Sequence, residues 1–396
     1  MTMLAVPLFL LPALRLLLVS ITCAACAFYL LAIIAAVRFF RGKASVHATT
    51  CLPVSLLIPL RGAEIGAYES YAALCCQDYA DYQLVFGVCD PCDTAIPIVR
   101  QLMTNFPERD IALVVCADTF GTNPKVSNLH NMLRCVKYEQ IVIVDSDIRV
   151  GRDYLRTIIP WLNDTRVGLV TCLYRAAQAP DLATRLEAIG ITAEFAPGVL
   201  SAWLLEGMHF ALGSTMATTK TVLKAIGGLQ AIGDHLADDF MLGHLIAKAG
   251  YEVRLAHYVV ETVLTPMGFR CMLKHQVRWS RSTRISRPLG YLGVLLTHGT
   301  PLALLTLLAS HGARPSLILL GTTLSLRLTM AWLIGIHWLH DRVLQKYFWL
   351  LPWRDLLSFG IWCLGLVGRQ VEWRGQVFEI VDNGKIMPVY SGQSKP

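Results

Sequence analysis

A chain of 396 residues is longer than one minimal domain, and its 54% hydrophobic and 16% charged residues, with a mean hydropathy of +0.49, exclude a wholly soluble protein. The formal net charge of +7 comes from Arg and Lys that flank apolar segments, with no basic run of five or more, which points to membrane topology and away from a nucleic-acid partner. The 12 cysteines are scattered, several within apolar stretches, and predict reduced thiols; the lone Cys89-x-x-Cys92 pair has no second pair to complete a zinc site.

The first predicted element is an uncharged apolar run over 16–37, long enough to cross a hydrocarbon core of roughly 30 Å and longer than the core of a signal peptide. Arg38, Arg41 and Lys43 follow it, so the positive-inside rule places the next segment in the cytoplasm. Residues 1–43 are thus expected to form a transmembrane anchor.

Over 44–288 short β-branched runs alternate with helical stretches, the pattern of an open α/β sheet. Strands are predicted at 54–59, 83–88, 112–116 and 140–144, with a helix over 95–106. The stretch 189–212 is unusually apolar and reads equally as a lipid-docking surface or a buried helix. Beyond 288 come candidate spans over 289–309, 315–339 and 348–367; Arg327 and the Arg354-Asp355 pair suggest that one of them is re-entrant or interfacial. Residues 289–368 are therefore expected to form membrane or interfacial helices, followed by a polar tail, 369–396, with a strand-like segment at 376–381.

In sheets of this class ligands bind beyond the carboxyl ends of the strands. Asp145-Ser146-Asp147 follows Ile141-Val142-Ile143-Val144, and two carboxylates so placed suit one hard divalent cation that also takes phosphate oxygens. Asp90, at the end of the second strand, suits a nucleotide base or ribose, or a turn before Pro91. Asp238 and Asp239 open a helical run, where one can act as a general base or simply cap the helix. Arg278 and Trp279 suit a departing diphosphate and a sugar or lipid face, or an interfacial belt.

Taken in order, Asp90, Asp145-Ser146-Asp147, Ala237-Asp238-Asp239 and His275-Gln276-Val277-Arg278-Trp279 resemble the D, D, D, (Q/R)xxRW series of processive and lipid-directed family 2-like glycosyltransferases. More closely, the chain resembles the ceramide glucosyltransferase family, glycosyltransferase family 21. The likeness runs from Val54-Ser55-Leu56-Leu57-Ile58-Pro59-Leu60 through Asn123-Pro124-Lys125-Val126-Ser127-Asn128-Leu129 to Trp373-Arg374-Gly375. Within the family, Gly87-Val88-Cys89-Asp90-Pro91, Asp145-Ser146-Asp147-Ile148-Arg149-Val150 and Asp234-His235-Leu236-Ala237-Asp238-Asp239 look like the bacterial hopanoid branch. His275 stands where the general pattern has Gln or Arg, and this too resembles that branch.

The resemblance implies an α/β GT-A domain with a mixed, mostly parallel sheet between N- and C-terminal transmembrane helices, and an inverting reaction. It implies that Asp90 contacts uridine, that Lys125, Asn128 and His275 contact the donor nucleotide, and that Asp145 and Asp147 hold Mg²⁺ or Mn²⁺ against the diphosphate of a UDP-sugar. Asp239, of the Asp238-Asp239 pair, would be the base, with Arg278 and Trp279 at the donor–acceptor junction. The expected reaction moves N-acetylglucosamine from UDP-N-acetylglucosamine to bacteriohopanetetrol; the alternative is glucosylation of ceramide from UDP-glucose. The protein is then expected to be a multi-pass protein of the bacterial inner membrane with a cytoplasmic catalytic domain and a tail packed near the active site. A processive polysaccharide synthase, or a transporter built around Arg327, are further readings.

Overall fold

The computed structural model describes residues 10–42, 51–373 and 375–389; Lys43 and Arg374, named above, lie outside them. The chain groups into two compact units. A sheet unit takes Gly42–Thr184, Leu205–Met267 and the chain from Arg369 onward, and a helical unit takes the chain up to Arg41, Arg185–Leu204 and Gly268–Gly368.

The sheet unit is built on eight strands: β1 (Val54–Pro59), β2 (Tyr82–Val88), β3 (Asp110–Val115), β4 (Gln140–Val144), β5 (Ile148–Arg149), β6 (Val167–Gln178), β7 (Thr215–Thr219) and β8 (Glu252–Val263). They lie in the order β3-β2-β1-β4-β7-β6-β8-β5. The β3-β2-β1-β4 half is parallel, as is β6 with β8, whereas β7 and β5 run against their neighbours. Strands β1, β2 and β4 are buried along their whole length, which is why they read in the sequence as unbroken apolar runs. Leu56, Ile58, Leu84, Phe86 and Val142 share one core with Tyr71, Leu74 and Val99 from the covering helices. Each such side chain contributes roughly 1.5–3 kcal/mol on burial. The tail adds a small antiparallel sheet of β9 (Gln370–Trp373), β10 (Gln376–Ile380) and β11 (Ile386–Pro388).

In the helical unit, helix Leu10–Arg41 spans 32 residues and contains the predicted 16–37 run. By length and composition alone, three described helices suffice to cross a membrane: Leu11–Arg41, Leu182–Glu206 and Arg314–Trp338. A bent pair, Pro288–Thr297 with Gly299–Ala309, makes a fourth if taken as one span.

The expected continuous span over 289–309 is therefore interrupted, with a bend of 65°. The cause is local. Tyr29 Oη inserts at the break, donating to Thr297 O at 3.0 Å and accepting from Gly299 N at 2.9 Å, a position open only because residue 299 has no Cβ. The expected span over 348–367 becomes helix Leu351–Gly365, which starts late because Pro352 occupies its first turn. The ambiguous apolar stretch falls, except for its last six residues, in the run Leu182–Glu206, which passes through a π turn at Ile191–Phe195 just before Pro197. Its Leu186, Ile189 and Ala193 pack with Ala331, Leu344 and Leu351, so this is a buried helix of its unit.

Charges inside this unit are paired. Arg327 Nη2 meets Asp355 Oδ1 at 2.7 Å and its Nη1 donates to Ala193 O at 2.9 Å, while Thr300 Oγ1 donates to Asp355 Oδ2 at 2.6 Å. Arg354 lies across Gly190, its Nη2 donating to Glu194 Oε2 at 2.7 Å and Gln276 Oε1 at 3.1 Å; a Cβ on residue 190 would stand 2.5 Å from that nitrogen. A closed pair of this kind explains Arg327 without a transport pathway.

Candidate active site

The parallel register of β1, β2 and β4 brings their carboxyl ends to one edge, and the antiparallel strands supply what stands beside them. Val144 is opposite Thr215, so the start of β7 and Gly213 just ahead of it lie next to Asp145. Ile148 is opposite Thr262, which brings the end of β8 to Asp147: Thr262 Oγ1 donates to Asp147 Oδ2 at 2.6 Å and Val263 N donates to Asp147 O at 2.8 Å.

Lys125 reaches the same edge from helix Pro124–Met132. Asn123 caps that helix, its Oδ1 accepting from Lys125 N at 2.9 Å and Val126 N at 3.2 Å, with Pro124 in the first turn where its missing N–H costs nothing. Lys125 Nζ then sits 2.7 Å from Asp145 Oδ1 and 3.1 Å from Asp238 Oδ2. Burial alone would lower its pKa, but Asp145 and Asp238 outweigh that and raise it, so the ammonium is held charged.

Asp238 and Asp239 begin helix Asp238–Lys248, whose N-cap is Ala237 with no side-chain cap bond. The acidic pair thus sits inside the first turn, where the helix dipole favours negative charge, and neither residue is the N-cap. Asp239 Oδ2 accepts from Gly213 N at 3.0 Å and its Oδ1 from Phe240 N at 2.7 Å. Burial first, and then the Asp238 charge, push the Asp239 carboxyl up to about 6. Burial and the Asp145 charge do the same for Asp147, also to about 6, against the Thr262 hydrogen bond.

Asp145 Oδ2 and Asp239 Oδ2 stand 3.2 and 3.1 Å from the point a Cβ on Gly213 would occupy. The bare α-carbon leaves a cradle with a carboxylate oxygen on each side. Asp239 thus faces the same space as Asp145, and a hard divalent ion on Asp145 and its neighbour Asp147 would border that space, because Mg²⁺-like ions take one or two protein carboxylates and complete their shell with substrate phosphate oxygens. Among the described residues no group of three or more His, Cys, Asp or Glu side chains is arranged to hold a metal.

The structure gathers Lys125, Asp145, Asp147, Asp238 and Asp239. Asp90 lies two residues beyond the end of β2, is exposed, and closes a turn by accepting from Cys92 N at 2.8 Å on Oδ1. Asn128, for which a nucleotide contact is implied, is buried, and its Nδ2 donates to Gly87 O at 2.8 Å and Leu60 O at 3.4 Å, pinning the ends of β1 and β2 together. Its amide hydrogens are taken up by main chain. His275, Arg278 and Trp279 lie on helix Phe269–Ser286 of the helical unit. There His275 Nδ1 is 3.1 Å from the buried Glu187 Oε1, and its ring lies 4.1 Å from that of Trp279.

Sequence reasoning missed Gly213 and Thr262, whose importance comes from antiparallel pairing that no local pattern announces. It also missed how the tail attaches. Ile386 N donates to Asp234 O at 2.8 Å and Leu236 N to Gly384 O at 3.1 Å, tying β11 to the loop just ahead of the acidic pair. Asp234 Oδ1 in turn accepts from Thr122 N at 2.9 Å, and Asn123 Nδ2 donates to His235 O at 2.8 Å. Tail, acidic-pair loop and lysine helix are thereby one hydrogen-bonded frame.

The sequence model of glycosyl transferase family 21 matches residues 17–386, from the first helix through this frame to the tail. The chain belongs to glycosyl transferase family 21. This member is therefore a sugar-transferring enzyme. It is 22% identical over 378 residues to ceramide glucosyltransferase 3 of Caenorhabditis elegans, covering 88% of this chain and 77% of that protein. Ceramide glucosyltransferase 1 of the same organism is 24% identical over 219 residues, 55% of this chain and 47% of that one. Among solved structures, the mannosyltransferase PcManGT from Pyrobaculum calidifontis in complex with GDP-Man and Mn2+ aligns with a TM-score of 0.55 at 19% identity, covering 89% of this chain and 97% of that chain. That likeness is one of fold, and with the mixed, mostly parallel sheet it makes the sheet unit GT-A-like.

Proposed function

We propose that this family 21 enzyme moves a hexose from a UDP-sugar to the hydroxyl of a membrane lipid, with inversion at the anomeric carbon. The observation that carries the reading is the cradle over Gly213, where Asp145 and Asp239 open onto one space beside Lys125. The lipid oxygen forms the new bond to the anomeric carbon as the bond from that carbon to the diphosphate oxygen breaks. The lipid proton goes to Asp239, and UDP departs with the bonding pair. A carboxyl raised to about 6 is ionised at neutral pH, yet a better proton acceptor than an ordinary Asp. Asp145 and Asp147 would hold Mg²⁺ or Mn²⁺, which when bound supplies positive charge to the departing diphosphate. Lys125 holds Asp145 and Asp238 in register and brings a second cation to the same edge. Asp90 would meet the uridine, His275 the donor, and Arg278 and Trp279 would line the donor and acceptor junction.

For the finer specificity we favour N-acetylglucosamine from UDP-N-acetylglucosamine and bacteriohopanetetrol as acceptor, in a bacterial inner membrane with the sheet unit cytoplasmic. The motifs around Asp90, Asp145 and Asp239, together with His275, support it. A second reading, ceramide with UDP-glucose, draws on the similarity to ceramide glucosyltransferases. Membranes given labelled UDP-glucose and UDP-N-acetylglucosamine in parallel, with each lipid supplied, separate the two. Labelled glucosylceramide alone would overturn the hopanoid reading, and label in neither lipid would overturn both. Chelation of divalent metal is expected to abolish transfer and Mn²⁺ or Mg²⁺ to restore it; full activity in excess chelator would remove the metal.

A further inference from the structure

Chain connectivity constrains which apolar helices cross the bilayer. The sheet unit is one folded body made of three stretches, Gly42–Thr184, Leu205–Met267 and the chain from Arg369, the last joined to the second through Asp234, Leu236, Gly384 and Ile386. Open sheet and loops are not tolerated against lipid, so this body stands on one side of the membrane. Each segment that leaves it and returns to it, Arg185–Leu204 and Gly268–Gly368, therefore crosses an even number of times. Helix Leu182–Glu206 is a single run with both ends in that body, so it does not cross despite its length and composition. Between Gly268 and Gly368 the bent pair Pro288–Thr297 with Gly299–Ala309, taken as one span, and Arg314–Trp338 supply two crossings by length and composition. Parity leaves none for Leu351–Gly365, whose 15 residues span about 22 Å, short of the roughly 30 Å required.

Yet the outward side of that helix is apolar. Trp353, Leu356 and Leu364 on the helix and the flanking Trp349 and Val367 are exposed, whereas Leu351, Arg354, Asp355, Ser358 and Ile361 on the opposite side of the helix are buried. Immediately before it, helix Arg342–Lys346 presents exposed Arg342 and Lys346. Its start is fixed by Asp341, which accepts from Val343 N and Leu344 N through Oδ1 and from Thr192 Oγ1 through Oδ2. An apolar stripe with two indoles, next to two cations, on a helix too short to cross and excluded from crossing by parity, matches one partner: an anionic lipid surface.

We propose that residues 342–367 form a monotopic element lying in the plane of the bilayer interface, on the side of the sheet unit. Trp349, Trp353 and Leu356 enter the boundary of headgroups and acyl chains, and Arg342 and Lys346 meet anionic headgroups. The inference rests on chain connectivity and composition, independently of donor and acceptor.

The test places a nitroxide-bearing residue, introduced at an unnatural amino acid so that native cysteines are untouched, at Trp353 or Leu364 in the full chain. Immersion depth is then read in vesicles of phosphatidylcholine with phosphatidylglycerol. Eleven residues along a crossing helix differ in depth by about 16 Å; an in-plane helix gives the two labels depths within about 5 Å of each other, both below the phosphates. Labels at Ile318 and Trp332, exposed on helix Arg314–Trp338, provide a crossing control and should differ by about 20 Å. Arg342→Glu with Lys346→Glu is expected to make the Trp353 label shallower in anionic vesicles and leave it unchanged in phosphatidylcholine alone. A depth difference near 16 Å, labels as accessible to an aqueous relaxer as a loop, or no response to the charge reversal in anionic vesicles would each overturn the proposal.

Discussion

The two units treat buried charge in opposite ways. In the helical unit Arg327 and Arg354 meet Asp355 and Glu194 one to one, and main-chain and hydroxyl partners add to the Arg327–Asp355 pair. At the edge of the sheet four carboxylates, Asp145, Asp147, Asp238 and Asp239, lie close together, and Lys125 pairs with two of them, Asp145 and Asp238. A balanced, closed pair in low dielectric fixes packing and binds nothing further. An acidic cluster short of cations holds raised carboxyl pKa values and draws in positive charge, as a site for a metal-bound diphosphate should.

The sharpest way to break this contrast is Asp239→Asn. It removes the proposed base while keeping size and an oxygen acceptor for Gly213 N, so transfer should fall roughly 10²–10⁴-fold with UDP binding retained, measured by turnover and calorimetry. Next, Lys125→Met should lower turnover by roughly 10²–10³, in the range seen when one preorganised charge-stabilising group is lost. On the other side of the comparison, Arg327→Met should leave transfer chemistry alone but cost about 3–5 kcal/mol of stability, because Asp355 is left buried and unpaired. Arg327→Met with Asp355→Leu should recover most of that loss in thermal unfolding of detergent-solubilised protein. Loss of turnover in Arg327→Met at temperatures where it remains folded would place this pair in the chemistry and erase the distinction.

Much of the sheet edge was legible in the sequence. Unbroken apolar runs located β1, β2 and β4, and the acidic residues that follow them fall at the carboxyl edge for the same reason. Lys125 was legible only through family likeness, although Asn123-Pro124 is a helix start that local chemistry alone would have marked. Gly213 and Thr262 were illegible because β7 and β8 pair across long separations in sequence. The main-chain role of Asn128 was illegible because a buried amide that donates to two carbonyls and one contacting a ligand look alike in sequence. The stretch 189–212 was ambiguous because a buried helix and a lipid-docking surface share composition, and only packing distinguishes them.

Two smaller effects sharpen the comparison. Gly213→Ala should reduce turnover about tenfold to a hundredfold with little loss of stability, since the methyl would stand against the two carboxylate oxygens that frame the cradle. The pH profile should fall on the acid side with an apparent pKa of about 6, because a base works only when deprotonated and the Asp239 carboxyl is raised to about that value. Glu194 and Asp355, already paired, should contribute no such limb.

The most direct test is transfer of labelled sugar from UDP-N-acetylglucosamine, or from UDP-glucose, into extracted lipid by purified enzyme, run with and without divalent metal and with Asp239→Asn alongside. The account predicts a metal-dependent glycolipid product that disappears in Asp239→Asn while UDP still binds. Undiminished lipid labelling by Asp239→Asn, or release of UDP with no sugar on any lipid, would contradict it.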